Sequence, residues 1–143
     1  LNKERPIAAS LALGVAEGAL EYSLNYSKER VQFGKSISHF QSIQFMLADM
    51  KMQVEAARLL LYNAALKAEA KSPDATLYSS MCKAFVSDVA MKVTIDAVQI
   101  LGGYGCTREY PVERMMRDAK ITQIFAGTNQ IQRIVIAREM LQD

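Results

Sequence analysis

The chain has 143 residues with 17 basic and 15 acidic side chains, a formal net charge of +2, and is 50% hydrophobic and 22% charged. Those proportions fit one globular domain and exclude a disordered, collagen-like or mucin-like chain. With charges balanced and no face dominated by Lys and Arg, nothing points to nucleic acid or anionic lipid as a partner, and no run reads as a signal peptide or membrane span. Cys82 and Cys106 make neither a CxxC pair nor a disulfide framework, which suits a reducing compartment. The chain starts at Leu1, and the missing initiator methionine suggests a processed or truncated piece of something longer.

Apolar residues three and four apart at Ile7, Leu11, Gly14, Gly18 and Tyr22, widened by Ala8, Ala12, Val15 and Ala19, predict an amphipathic first helix. Pro6 is tolerated only near a helix start, so Glu4 or Arg5 is the cap region, and Gly34 lies past the end near Lys28 or Val31. Ser38 and Gln41 form an S-x-x-Q capping box for a second helix with the stripe Phe40, Ile43, Leu47, Met50, Val54, Ala57, Leu61, Ala64 and Ala68. Ser72 caps a third helix with Pro73 at its first position, running through Leu77, Met81, Phe85, Val89, Ile95 and Val98 to Gly102 and Gly103. Residues 104–111 read as loop and residues 112–121 as a short helix. Thr128 or Asn129 then caps a last helix bearing Ile131, Ile134, Val135, Ala137 and Leu141. No stretch alternates with period two. The expected fold is all-α, an antiparallel four-helix bundle running up-down-up-down with one additional short helix, forming a single domain over residues 1–143.

His39 is the only histidine, with no HExxH and no cysteine pair, so no metal site is expected, and a Ser/His/Asp hydrolase would have to rest on that one side chain. Gly14 and Gly18 with Glu17 between them indicate close packing of helices rather than a membrane dimer motif. Three segments stand apart from packing. Arg30-Val31-Gln32-Phe33-Gly34 sets an Arg and a flat ring at a helix end, suited to phosphate and to a planar ligand. Gln99-Ile100-Leu101-Gly102-Gly103 carries adjacent glycines that let a ligand approach the backbone. Phe125-Ala126-Gly127-Thr128-Asn129-Gln130 opens a helix with free N–H groups. Each alone reads as a helix stop or cap; together they favour a large cofactor.

The ordered set Arg30-Val31-Gln32-Phe33-Gly34, Phe40-Gln41, Gln99-Ile100-Leu101-Gly102-Gly103-Tyr104-Gly105, Glu109-Tyr110-Pro111, Met116-Arg117-Asp118-Ala119-Lys120 and Ala126-Gly127-Thr128-Asn129-Gln130-Ile131-Gln132-Arg133 resembles the C-terminal helical domain of the acyl-CoA dehydrogenases over essentially the whole chain. The resemblance implies a piece of a flavoprotein whose N-terminal helical and middle β domains are absent from this chain. It implies FAD as cofactor, an acyl-CoA thioester dehydrogenated between its α and β carbons to the trans-2-enoyl-CoA, and an electron-transferring flavoprotein as electron acceptor. It also implies a homodimer or homotetramer, a role in fatty acid β-oxidation, and a home in the bacterial cytoplasm or, in a eukaryote, the mitochondrial matrix.

Carried over residue by residue, Arg30, Gln32 and Phe33 would meet the pyrophosphate and ADP half of FAD held by a neighbouring subunit, with Phe40 and Gln41 beside them. Gln99 and Gly103 would contact the ADP portion, and Thr128 and Gln130 would touch FAD as well. Gly127 would lie beside the thioester, with Asn2, Arg5 and Arg138 along the acyl-CoA. Where much of the family has a glutamate before the Gly-Thr turn, this chain has Ala126, which cannot accept a proton. The isovaleryl and long-chain branches resemble a second solution, with the base in a Glu-Arg pair opening the first helix, and Glu4-Arg5 stands there. Without the resemblance Glu4 reads as an acid placed favourably at a helix N-terminus. The alternatives are a member that has lost its base and serves as an assembly or binding scaffold, and an acyl-CoA oxidase. The isolated chain is expected to hold FAD weakly or not at all, since the family's middle domain also grips it.

Overall fold

The computed structural model describes residues 2–141, and its first helix, α1 (Glu4–Glu29), starts where Pro6 allows. Pro6 is the third helical residue, among those whose N–H has no partner within the helix. Lys3, not Glu4 or Arg5, is the capping residue, and its side chain makes no capping bond. After α1 come β1 (Val31–Gln32) and β2 (Lys35–Ser36), then a 3-10 turn over Ile37–His39 and α2 (Gln41–Glu69). Helix α3 (Ala75–Leu101) runs into a second 3-10 turn (Gly102–Cys106), followed by α4 (Val112–Thr122) and α5 (Asn129–Met140). The domain is thus all-α apart from a hairpin of two-residue strands, which period-two patterning is too short to reveal.

Helix α3 is the axle of the bundle, packed against each of α1, α2, α4 and α5. On α2 the expected stripe holds: Met50, Val54, Ala57, Leu61, Ala64 and Ala68 are buried. The expected face of α1 holds for its alanines, Ala8, Ala12 and Ala19, and fails for its large residues. Ile7 and Leu11 are 62% and 57% exposed, while Ala8, Ala9, Ala12, Leu13, Ala16, Ala19, Ser23 and Ser27 face the core. Small residues let helix backbones come close, and the buried hydroxyls are satisfied within the helix: Ser23 Oγ donates to the Ala19 carbonyl at 2.7 Å and Ser27 Oγ to that of Leu24 at 2.7 Å. Helix α3 repeats the pattern, with Ser87 and Thr94 bonded back to Lys83 and Ala90 and with Phe85 and Ile95 turned outward. A window of α1 has a mean hydropathy of 1.2, enough by length and composition to cross a membrane. Here that helix is a core element of the bundle.

Two expected caps are corrected. Ser38 lies in the 3-10 turn with its hydroxyl 2.8 Å from that of Ser36, and α2 starts at Gln41 with Phe40 as an uncapped N-terminal flank. Pro73 lies outside α3, just before its capping residue Asp74, and Ser72 donates to the Asp74 carboxylate at 2.6 Å instead of accepting from a helix N–H. The link out of α2 is a Schellman turn: the Ser72 N–H reaches the Lys67 carbonyl at 3.0 Å through Lys71, which holds a left-handed φ of 51° where Gly is usual. The Lys67 ammonium beside Asp74, at 2.6 Å, holds that carboxyl below the usual range. Cys82 is buried and burial pushes its thiol up to about 12, so it is packing and not a nucleophile.

Candidate functional site

At the end of α1 the chain makes a hairpin whose register pairs Val31 with Ser36 and Gln32 with Lys35. Only Phe33 and Gly34 remain for the turn, with φ of 53° and 80°. Both central residues are left-handed, as the two-residue turn that matches strand twist requires. Gly adopts that backbone freely and Phe does not. Phe33 is nevertheless 93% exposed, its ring edge-on to Phe40 at 6.2 Å. The ring is thus held outward on a strained backbone, against Phe40 but largely uncovered by its own chain.

The base of the hairpin is fixed by the main chain: the Arg30 N–H donates to the Tyr26 carbonyl at 2.9 Å, and the Arg30 carbonyl accepts from Ile37 at 2.8 Å. The Arg30 guanidinium then lies over the Tyr104 ring, 5.1 Å from its centroid. Tyr104 stacks at a tilt on Tyr110 at 5.4 Å, and Tyr110 meets Tyr26 edge-on at 6.0 Å. Burial raises the Tyr26 hydroxyl above its ordinary value, against the neighbouring Arg30 charge. A cavity of about 500 Å³ opens between Arg30 and Gln32 on one side and Gly102, Gly103 and Tyr104 on the other. A Cβ added at Gly103 would meet no atom within 4 Å, so bare backbone faces open space, whereas at Gly105 it would strike the Val98 carbonyl at 2.6 Å. The first glycine leaves room for a ligand; the last lets the turn fold against α3.

The second group lies where α5 begins. Ala126 and Gly127 have left-handed φ of 54° and 86°. Their carbonyls accept from Gln132 Nε2 at 3.3 and 3.0 Å, and Thr128 Oγ1 caps α5 by accepting from the Ile131 N–H at 3.3 Å. A side chain at Gly127 would come within 2.8 Å of Gln132 Nε2. Thr128 and Gln130 share a cavity of about 380 Å³ with Asp88, Lys120, Gln123 and Arg133. Burial pushes the Asp88 carboxyl up, but hydrogen bonds from Arg133, Gln123 and Asn129 outweigh it and hold it low.

At the start of α1, Asn2 Nδ2 donates to Thr76 Oγ1 at 3.0 Å and the Asn2 carbonyl accepts from Ser79 at 2.9 Å, tying the entry to α3. Asn2 and Glu4 share an open cleft of about 680 Å³ with Lys3, Lys71 and Ser72. Glu4 is exposed there in the first helical turn. Arg5 is buried, its Nε without a hydrogen-bond partner. Burial and the charge of Arg138 lower its pKa, and Glu139, paired with Arg138 at 3.1 Å, works the other way.

The structure therefore brings together Arg30, Gln32 and Gly103, then Thr128 and Gln130, then Asn2 and Glu4, and sets Arg5 in the field of Arg138. Phe40 is half-buried behind Phe33 and Lys35, and Gln41 and Gln99 are exposed helix-end residues outside the first cavity. Sequence reasoning missed Tyr104, which backs Arg30, and the set of buried Lys83, Ser87 and Asn129 with half-buried Asp88. The signal for the latter was a Lys amid the apolar run from Met81 to Ala90.

Residues 1–141 match the family model described as "Acyl-CoA dehydrogenase, C-terminal domain", and the chain belongs to that family. It is 58% identical over 142 residues to "Probable acyl-CoA dehydrogenase FadE25" of Mycobacterium tuberculosis, covering 99% of this chain and 36% of that protein. It is 57% identical over 134 residues to "Acyl-CoA dehydrogenase, short-chain specific" of Megasphaera elsdenii, covering 94% of this chain and 35% of that one. The solved butyryl-CoA dehydrogenase of Megasphaera elsdenii superposes with a TM-score of 0.93 at 55% identity, over 96% of this chain and 36% of that chain. A solved structure reported under "Electron transferring flavoprotein of Acidaminococcus fermentans" matches with a TM-score of 0.96 at 56% identity, over 99% of this chain and 37% of that chain. The chain spans about a third of the length of these relatives.

Proposed function

We propose that this chain is the C-terminal helical domain of an FAD-dependent acyl-CoA dehydrogenase that converts an acyl-CoA thioester to its trans-2-enoyl-CoA. The observation that carries the reading is the cavity between Arg30 and Gly103, which has the chemistry of a dinucleotide's phosphate and ring: a guanidinium backed by an aromatic ring, bare glycine backbone, and the outward ring of Phe33 nearby. These groups fit FAD. Arg30 would hold the pyrophosphate, Gln32 and Gly103 the ADP half, and Thr128 and Gln130 a further stretch of the cofactor. Phe40, Gln41 and Gln99 are the outer members of the same set. When bound, FAD supplies the acceptor for the hydride that leaves the β carbon.

The remaining steps belong to this chain's own residues. Asn2, Arg5 and Arg138 would lie along the acyl-CoA, with Gly127 beside its thioester. Glu4, exposed in the first turn of α1, would take the α-proton on a carboxylate oxygen, because Ala126 offers no acceptor. The exposed side chains Phe45, Met52, Leu59 and Leu66, seven residues apart along α2, support a homodimer or homotetramer. The likeness to the structure reported for the electron transferring flavoprotein of Acidaminococcus fermentans supports an electron-transferring flavoprotein as electron acceptor. Place in fatty acid β-oxidation, in a bacterial cytoplasm or mitochondrial matrix, belongs to the same reading. Ala126 favours one other reading, a member without its base that serves as a scaffold.

The test is the full-length protein purified with its flavin and mixed anaerobically with acyl-CoAs of graded length. Bleaching of bound FAD, reversed by electron-transferring flavoprotein and not by oxygen, is the expected result. Reoxidation by oxygen alone would identify an oxidase, and a flavin that no acyl-CoA bleaches would identify the scaffold.

A further inference from the structure

The largest side chain wholly enclosed by this domain is a lysine. Lys83 on α3 is 1% exposed, and its Nζ donates to Asn129 Oδ1 at 2.9 Å. An ammonium has three protons to place, so burial with so few acceptors is costly, and a residue kept for packing alone at this position would be apolar. Burial pushes the Lys83 ammonium down to about 8, with Asp88 opposing, which marks the charged form as strained.

What Lys83 holds is more telling than its burial. Asn129, 3% exposed, is the first residue of α5 and follows Thr128 directly. Its Nδ2 donates to Ser87 Oγ and to Asp88 Oδ1, each at 2.8 Å, so Oδ1 must face Lys83; the flipped amide would set NH2 against ammonium and oxygen against carboxylate. Its N–H donates to the Gln123 carbonyl just past α4, at 3.0 Å, and its carbonyl accepts from Arg133 at 3.1 Å. Asp88 accepts from Gln123 at 2.7 Å and from Arg133 at 2.8 Å. Asn129 thus ties the start of α5 to α3 through its side chain and to the end of α4 through its main-chain N–H, two residues past the left-handed pair of the turn.

We propose that Lys83 is a positioning residue: through Asn129 it fixes the direction in which the turn at residues 126–130 presents Thr128 and Gln130. The inference rests on the reading of Thr128 and Gln130 as cofactor contacts. It implies a trade, since the charge that aims the turn weakens the fold.

The test is Lys83→Met in the full-length protein. Met is close in length and apolar, and the Ser87 hydroxyl, 3.2 Å from Asn129 Oδ1, can turn its one proton from the Lys83 carbonyl to that oxygen. At pH 7 the thermal midpoint should hold or rise, by about 2–4 °C. Hydrogen exchange at residues 130–133 should nevertheless quicken at least ~10-fold, and FAD should leave faster by a similar factor. Lys83→Gln, which keeps a neutral donor, should recover part of the exchange protection. A Lys83→Met protein with a lower midpoint and faster exchange throughout would reduce Lys83 to a structural residue and overturn the proposal. Unchanged exchange at the turn would overturn it as well. Faster exchange with unchanged flavin release supports the hold on the turn and instead removes Thr128 and Gln130 from the cofactor.

Discussion

The guanidinium of Arg30, just past the end of α1, rests over the ring of Tyr104, just past the end of α3, 5.1 Å from its centroid. Two residues 74 positions apart, each just past a helix end, thereby share one electrostatic contact. If the cation–π contact aims Arg30 at phosphate, Tyr104→Phe should keep FAD affinity in the full-length protein and Tyr104→Leu should lower it about 2- to 5-fold. Arg30→Ala removes the charge itself and should cost at least ~10-fold. Equilibrium dialysis of flavin decides it; a Leu variant as tight as the parent would leave Tyr104 as packing only.

Phe33 holds a φ of 53° in a turn that asks for Asn or Gly. Phe33→Asn should relieve about 0.5–1 kcal/mol of strain, raising the thermal midpoint of the full-length protein slightly while weakening flavin retention. The two readouts moving in opposite directions is the expected signature. If both fall together, the ring supports the hairpin and not a ligand.

How far these contacts could be read beforehand depended on residue type. On α2 the buried positions are Met, Val, Leu and Ala at helical spacing, so the stripe and the core coincide. On α1 the buried side is mostly Ala and Ser, so the expected alanines Ala8, Ala12 and Ala19 lie in the core while the larger Ile7 and Leu11, which spacing by apolar size put beside them, face outward. The pairing of Arg30, Gln32 and Gly103 followed from motifs, but Tyr104 did not, because a ring behind an arginine is a contact between distant segments with no local pattern. The Thr128 cap held, but those at Ser38 and Ser72 failed because their hydroxyls bond other side chains, Ser36 and Asp74, and not a helix N–H.

Lys83 also makes a pH prediction. Its folded pKa of about 8 lies below the ordinary 10.5. Between those values the unfolded chain binds a proton that the folded chain releases, so stability contributed by this group rises with pH from about 8 to 10.5 and is flat below. The full span is on the order of 3 kcal/mol. Asp88, held low, does not titrate in that window, and Tyr26, raised above 10.0, stays protonated through most of it. Urea midpoints of parent and Lys83→Met should therefore converge between pH 7.5 and 9.5, starting with Met the more stable. A gap that stays constant would mean that Lys83 does not titrate there.

The proposed base offers the sharpest test. If Glu4 takes the α-proton, Glu4→Gln in the full-length protein keeps the side chain's shape but removes the proton acceptor, so flavin bleaching by acyl-CoA should slow by at least ~10²-fold while FAD remains bound. In the turn before α5 Ala126 is exposed and already sits in a left-handed conformation, with φ of 54°, next to Gly127. A glutamate there needs no more backbone strain than the alanine already bears. Adding Ala126→Glu to the Glu4→Gln variant should restore part of the rate, because proton abstraction requires a carboxylate within reach of the α carbon whichever helix supplies it. The rescue should be incomplete, because the approach angle differs, and the preferred chain length should shift with it. Rapid-mixing flavin reduction on the single and double variants separates the outcomes. An unimpaired Glu4→Gln enzyme removes Glu4 from catalysis, whereas a dead double variant keeps Glu4 as the base and refutes only the idea that both positions reach the same carbon.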